Sequence, residues 1–315
     1  MVKLHPQTQD GTEATRVASH QITLAQEAVT RYVIVTPIRD EEKFIEATIA
    51  SVRAQTVPPT EWVIVDDGSV DRTGEIIDRY AAQVPWIHVV HRENRGFRKS
   101  GGGVVEAFYD GYQALRSSSW EFIVKLDGDL SLPPTYFEKC FEHFELDPKL
   151  GIGGGDIYHE LGGVQKLEAT PKFHVRGATK IYRRACWEAI DGLWRAPGWD
   201  TIDEVKANML GWKTYSFNEL HIVHHRFTGT AESLWRDKIK RGVACYVTGY
   251  HPLFVAASCM SNLVRRPYVG GSAAIAYGFL KGYWNRTPRV NDKQLIKYVR
   301  AQQLRRLCGL KTIWR

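Results

Sequence analysis

Three groups of acidic residues have the types and spacing for phosphate and metal chemistry: Arg39-Asp40-Glu41-Glu42, Asp66-Asp67-Gly68-Ser69 and Asp127-Gly128-Asp129. Asp127 and Asp129 stand two apart, and in extended chain alternate residues point to the same side. Gly128 puts no side chain between them. Two carboxylates facing one point suit a hard divalent cation such as Mg2+ or Mn2+, which prefers oxygen ligands and also binds substrate phosphates. A cation there would neutralise a departing diphosphate by Lewis-acid and electrostatic action. Each group alone reads equally well as a surface turn, because Asp-Gly is a common turn pair. Their recurrence at equivalent places in the chain is what singles them out.

Those places are set by the elements in between. Residues 32–38 form an apolar, β-branched run that reads as a buried strand, and 41–54 follow as a helix with Asp40 as its candidate cap. A strand over 61–65, a helix over 71–82, a strand over 87–90, a helix over 104–115 and a strand over 122–126 continue the order. Strand and helix alternate four times, which predicts an α/β fold with a mostly parallel sheet and helices on both faces. In such sheets ligands bind beyond the carboxyl ends of the strands, where the three acidic groups fall. Past residue 150 the pattern changes. Residues 151–156 are Gly-rich, 183–190 and 204–210 read as helices, and 220–223 as a further strand.

With those residues in place, the sequence resembles glycosyltransferase family 2, whose members have the Rossmann-like GT-A fold. The run VIVTPIRDEEKFIEATIASVRAQTVPPTEWVIVDDGSVDRTGEII is similar to the start of that family, and NRGFRKSGGG and KLDGD follow where it has its Asn-x-Gly segment and its Asp-x-Asp motif. The resemblance covers roughly residues 31–229. It implies an inverting, metal-dependent transferase that uses a nucleotide-diphosphate sugar. Pro37, Arg39, Glu41, Asp66 and Asp67 would then surround the base and ribose of the donor. Arg98 and Lys99 lie where the family often contacts the nucleotide, and their charge suits diphosphate. Asp127 and Asp129 would hold ribose and metal.

The family also has a Glu-Asp pair at the acceptor site, opening a helix that ends near a Gly-aromatic pair. Here GWDTIDEVKANMLGWKT occupies that place. Counting back from Gly211-Trp212 without gaps sets Trp199-Asp200 on Glu-Asp, so Asp200 is the first choice for general base, with Asp203 and Glu204 as alternates. Trp199 in place of Glu departs from the pattern. All three acids read equally as residues that stabilise the start of a helix. The resemblance also points to His224, before His225, as a residue near metal or diphosphate. The Gln-x-x-Arg-Trp motif of polymer-forming members is reduced to Arg241 in KIKRG.

The rest of the chain bounds the setting. Residues 1–30 read as a loose lead-in, 31–230 as the GT-A domain and 231–315 as a helical, apolar and basic extension. The net charge of +7 is concentrated: residues 286–315 hold nine Lys or Arg and one Asp, so everything before sums to −1. Such a tail can meet anionic lipid, nucleic acid or nothing at all; beside the apolar segments a membrane surface is the expectation carried forward, and nucleic acid is not. The apolar segments 252–264 and 268–284 fall short of a spanning helix. Five scattered Cys argue against a disulfide framework and fit a reducing cytosol. No basic start followed by an apolar run is visible at the N-terminus. The expectation is a cytoplasmic transferase, peripheral on the inner face of the membrane, that adds a single sugar to a saccharide or lipid-linked acceptor of a surface polysaccharide. The competing expectation is an inactive, transferase-like nucleotide-sugar binding or scaffold protein. A dinucleotide-binding enzyme is excluded, since no Gly-x-Gly-x-x-Gly follows the first strand.

Overall fold

A computed structural model describes residues 30–96, 102–161, 164–168, 170–226, 231–263 and 268–314. The parallel half of the sheet forms where the β-branched runs predict it. Strands β1 (Tyr32–Ile38), β2 (Glu61–Asp66), β3 (Ile87–His91) and β4 (Phe122–Leu126) alternate with helices α1 (Ile45–Arg53), α2 (Thr73–Ala81) and α3 (Gly103–Ala114). β2 and β4 flank β1, and β3 lies outside β2, all parallel, with Val33 opposite Glu61 and Tyr32 opposite Phe122. All seven residues of β1 are buried. Alternate side chains serve opposite faces. Tyr32, Ile34 and Trp62 join one core cluster with Ile49, Phe137 and Phe141, while Val33, Val35 and Val63 join another with Phe108, Tyr182 and Trp187.

The second half of the sheet is mixed. It comprises β5 (Leu130–Ser131), α4 (Tyr136–Leu146), β6 (Leu150–Leu161), β7 (Val164–Leu167), β8 (Thr179–Arg183), α5 (Arg184–Ile190), α6 (Trp199–Met209) and β9 (Lys213–His224). β8 runs antiparallel to β4 and to β6, and β6 runs parallel to β9. The order across the sheet is β3-β2-β1-β4-β8-β6-β9-β5, with β7 paired to β6.

Three local expectations need correction. Asp40 is not the cap of α1, which opens at Ile45 behind a turn; Asp40 has φ of 55° and its carboxylate accepts from the Val70 amide. The Gly-rich stretch 151–156 lies within β6. Its glycines carry no side chain to alternate, so the period-two signal is missing from the sequence. The helix expected at 204–210 begins at Trp199, which brings Asp200 into its first turn.

Beyond the sheet follow α7 (Ala231–Val247), α8 (Pro252–Asn262), α9 (Tyr268–Trp284) and α10 (Lys293–Leu307). No helix among the described residues is long and apolar enough to cross a membrane. The five Cys are free thiols.

α7 and α9 cross through glycines. A Cβ on Gly242 would lie 2.1 Å from the Ile275 carbonyl oxygen, and one on Gly278 would lie 2.1 Å from that of Ile239. Alanine ordinarily stabilises a helix interior relative to glycine. Here the added methyl meets backbone, so Gly242→Ala and Gly278→Ala are each expected to destabilise by about 1–3 kcal/mol. Urea unfolding measures this, and a gain in midpoint would contradict the packing.

Candidate functional site

The loops after β1, β2 and β3 are laced together. The Asp40 amide donates to Ser69 Oγ at 2.9 Å and the Glu41 amide to Thr73 Oγ1 at 2.7 Å. Asp71 accepts from the Glu42 amide at 3.2 Å. Asp66 is buried and turns inward, with Oδ1 accepting from the Ser69 amide at 2.8 Å and from its hydroxyl at 2.6 Å. Its Oδ2 lies 3.3 Å from His91 Nδ1. Asp67 is ion-paired on both oxygens, to Arg92 and Arg95. Arg39 Nη2 donates to Asn94 Oδ1 at 2.9 Å, and Pro37 is buried at the end of β1. The first two acidic groups thus build the edge on which a donor would sit. Arg98 and Lys99 lie outside the described residues.

The third group meets the first at the mouth of the sheet. Gly128 packs on β1, where a Cβ would come 2.4 Å from Ile38 Cγ2, so the Asp-Gly-Asp turn closes tightly over that strand. Asp129 Oδ2 lies 3.1 Å from His224 Nε2 and 3.4 Å from Arg226 Nε. Arg226 is also ion-paired to Glu41 and donates to the Asp40 carbonyl at 3.1 Å. Lys125, buried on β4, pairs with Asp127 and donates to the Gly177 carbonyl at 2.6 Å. The His225 amide donates to the Asp129 carbonyl at 2.9 Å, while its ring bonds to Ser131 Oγ at 2.7 Å and stacks on Phe44.

Glu41, Asp127 and Asp129 repel one another. Glu41 is pushed up to about 7, by burial first and then by the charges of Asp129 and Asp127, against the pull of Arg226. Burial raises Asp127, outweighing Lys125. Burial would raise Asp129 too, but the hydrogen bond and charge of His224, with Arg226 and Lys125, bring it below the usual carboxylate value.

The oxygen donors here fit a hard cation. Asp129 Oδ1 is buried and has no hydrogen-bond partner among the described residues. An unsatisfied buried carboxylate oxygen is costly and calls for a charge partner. No group of three or more His, Cys, Asp or Glu among the described residues forms a closed metal cage. A cation held by two carboxylates would complete its shell with donor phosphates and water. His224 Nε2 is engaged with Asp129 in this arrangement.

Asp200 packs beside Gly177, whose carbonyl accepts from Lys125, the partner of Asp127. A Cβ on Gly177 would lie 3.3 Å from Asp200 Cβ and 3.1 Å from the Trp199 ring. Asp200 is half-buried, and its carboxylate makes no hydrogen bond or ion pair to any described residue. Asp203 and Glu204 differ. Asp203 accepts from Lys180 Nζ at 3.0 Å on both oxygens, from the Tyr182 hydroxyl at 2.6 Å and from the Glu204 amide at 2.7 Å. Glu204 lies 2.9 Å from Lys180 Nζ and 2.7 Å from His174 Nδ1, and accepts from the Val175 amide at 2.7 Å. Lys180, Asp203 and Glu204 side chains are fully buried. Trp199 sits between the two lysines, 5.6 Å from Lys125 Nζ and 5.6 Å from Lys180 Nζ.

Lys125, Lys180 and Arg226 were not read from the sequence. The signal for the lysines was a lone cation within a strand whose neighbours are buried, which only a buried partner explains. Arg226 carried no comparable signal.

A family-wide pattern described as Glycosyl transferase family 2 matches residues 33–191. The chain belongs to that family. All three acidic groups lie within the match. The uncharacterized glycosyltransferase EpsJ of Bacillus subtilis strain 168 is 33% identical over 127 residues, 40% of this chain and 34% of that protein. A poly-beta-1,6-N-acetyl-D-glucosamine synthase of Staphylococcus aureus is 29% identical over 134 residues, 41% of this chain and 30% of that one. The match thus spans about a third of each relative. Among solved structures, the mannosyltransferase PcManGT of Pyrobaculum calidifontis with GDP-Man and Mn2+ aligns over 90% of this chain and 76% of its own, with a TM-score of 0.51 and 18% identity. Staphylococcus aureus TarS 1-349 with UDP-GlcNAc aligns over 83% and 74%, at 0.52 and 16%. These likenesses establish the α/β GT-A fold.

Two predictions follow from the α6 network. Glu204→Gln leaves the buried Lys180 with half its counter-charge and is expected to cost about 3 kcal/mol or more in thermal or urea unfolding. Asp200→Asn is expected to leave the unfolding midpoint nearly unchanged. The second concerns pH. Burial works against the proton on His174, but the charge and hydrogen bond of Glu204 outweigh it and raise the pKa. A raised folded-state value gives stability that is full below the unfolded value of about 6.5 and is lost as pH rises through the folded value. The unfolding midpoint is therefore expected to fall between pH 6 and 9, and to fall less in His174→Gln.

Proposed function

We propose that this chain transfers one sugar from a nucleotide-diphosphate donor to an acceptor hydroxyl, with inversion. The observation that carries this is the path from Asp127 through Lys125 and the Gly177 carbonyl to Asp200. On this reading Asp127 faces the donor phosphates, and Asp200, which makes no hydrogen bond or ion pair to any described residue, takes the proton. The acceptor oxygen attacks the anomeric carbon as the bond to the diphosphate breaks, and its proton passes to Asp200. Asp203 and Glu204, with their oxygens engaged by Lys180, Tyr182 and His174, serve instead to hold α6.

On this reading Pro37, Arg39, Glu41, Asp66 and Asp67 frame the nucleotide, and Arg98 and Lys99 face its phosphates. Asp127 and Asp129 hold Mg2+ or Mn2+, which supplies charge to the leaving diphosphate when bound. His224 joins the metal only by giving up its bond to Asp129; otherwise it orients that carboxylate. GDP-Man and UDP-GlcNAc, named with the two solved structures, support the donor class, and the Mn2+ named with the mannosyltransferase supports the metal. A surface-polysaccharide setting, with a lipid-linked saccharide acceptor at the inner membrane face, draws support from the poly-beta-1,6-N-acetyl-D-glucosamine synthase relative.

Calorimetry with UDP and GDP, combined with turnover of the matching sugar, tests the assignment. Nucleotide affinity is expected to drop strongly with EDTA and in Asp129→Asn. Asp200→Asn is expected to keep donor affinity and lose ~10² to 10⁴-fold in turnover, the usual share of a general base. Equal affinity with and without metal would remove Asp127 and Asp129 from metal binding. Full turnover in Asp200→Asn would move the base elsewhere.

A further inference from the structure

The two helices after α7 are apolar on the side they turn to solvent. On α9 the exposed positions Val269, Ala273, Tyr277, Leu280 and Trp284 are spaced four, four, three and four apart, and Tyr283 is exposed beside them. That spacing is one helix face. Val269 is 66% exposed and Trp284 is 74% exposed. On α8 the exposed positions Leu253, Ala256, Met260 and Leu263 form a second stripe, with Leu253 at 62% and Met260 at 70%. Across both helices the only charged residue is Lys281. Their opposite faces are spent on the fold: Val255, Ile275 and Phe279 are buried together with Tyr246 and Val247 of α7. A helix hydrophobic on its exposed side as well as its packed side needs a partner, and an apolar surface of this extent on a monomer marks an interaction site.

The charge pattern around the stripes says which partner. From Lys238 to Asn291 there is no Asp or Glu. Residues 238–315 carry fifteen Lys or Arg against one acid, a net +14, while the rest of the chain sums to −7. A groove lined by His251, Lys293, Lys297 and Arg300 adjoins the start of the α8 stripe, and its floor includes Ile296 and Leu304. Trp284 and Tyr283 end α9, where Lys281 and Arg286 follow the polar edge. Aromatic rings beside cations, at the end of an apolar stripe, match the boundary between acyl chains and headgroups. A protein partner with a complementary face would have to be both apolar and strongly acidic; a bilayer with anionic lipid presents both as it stands.

We propose that the exposed faces of α8 and α9 form a docking surface for an anionic membrane, lying in the interface plane with the basic groove on the headgroups. The tail expected from the sequence to be the anchor adds charge, but the apolar stripes set the depth and orientation. The 17 residues of α9 lie along the surface. The docking surface is joined to the helix that carries Asp200: Gly198, just before α6, packs against Ala244 of α7 and Thr248 just after it. Docking therefore fixes the helix that carries Asp200 relative to the bilayer. This holds whatever the acceptor is, and its failure would leave the donor-site reading intact.

The test is flotation of the full chain with vesicles of phosphatidylcholine alone or with phosphatidylglycerol. The chain is expected to float with the anionic vesicles and to be released in part by high salt, since only the charge term is screened. Leu280→Glu/Trp284→Glu places two charges in the exposed stripe and is expected to reduce partitioning about tenfold or more. Its nucleotide-induced thermal shift should match that of the unaltered chain, which shows an intact fold. Undiminished flotation of the double variant would overturn the proposal, as would no flotation of the unaltered chain. Light scattering separates the remaining occupant: a dimer that the same substitutions dissolve, with no vesicle binding, would assign the stripes to a second copy of the chain.

Discussion

An ammonium group with no access to water sits at the centre of this molecule. Lys180 projects from β8 into the space under α6, where Asp203 and Glu204 neutralise it. Burial alone would strip its proton, but the two carboxylates more than offset that and raise its pKa. A buried ion pair of this kind contributes little net stability compared with apolar packing, yet removal of one partner is severe. Its effect is positional. Two consecutive acids on one helix can both reach one lysine only if the helix axis and rotation are fixed. Lys180 also donates to the Asp200 carbonyl. The first turn of α6, and with it Asp200, is thereby held against the sheet.

The same logic repeats on the other side of Trp199. Lys125 is buried and paired with Asp127, and Arg226 ties Glu41 to Asp129. Glu41, Asp127 and Asp129 therefore each have a protein cation beside them, yet Asp129 Oδ1 has no hydrogen-bond partner among the described residues. Lys125 and Lys180 are cross-strand partners, and the Trp199 indole offers its ring to both ammonium groups. This gives a physical role to the one position where the sequence departs from its family's Glu-Asp pair. A Glu at 199 would lie near both lysines and compete with Asp127 and Asp203 for them.

The helical region after the sheet extends this scaffold outward. α7 packs on the loop before α6 and pairs with α9 through glycines, so the apolar outer faces of α8 and α9 are carried on a rigid mount. The strongly basic, acid-free composition of that region and the acidic balance of the remainder make the chain electrically two-sided.

Much of this was legible in the sequence because it is local. The β-branched runs fixed β1 to β4, the alternation with helices fixed a parallel sheet, and the acids at strand ends fixed the edge where chemistry gathers. The ungapped count from Gly211 placed Asp200 correctly in a helix's first turn, even though the periodicity located that helix five residues late. What spacing alone leaves open is which carboxylates are spent. Asp200, Asp203 and Glu204 are alike in one dimension, but one helical turn faces two of them into the core, where β8 supplies Lys180, and leaves the first at the edge. Asp66 and Asp67 likewise read as free acids until the end of β3 brings His91, and the loop after it Arg92 and Arg95, against them. Arg226 lies nearly a hundred residues beyond Asp129, so its meeting with Asp129 and Glu41 exists only once β9 closes on β5. Hydrophobic periodicity is a short-range property of the chain, whereas the pairing of buried charges is decided by which strands lie side by side.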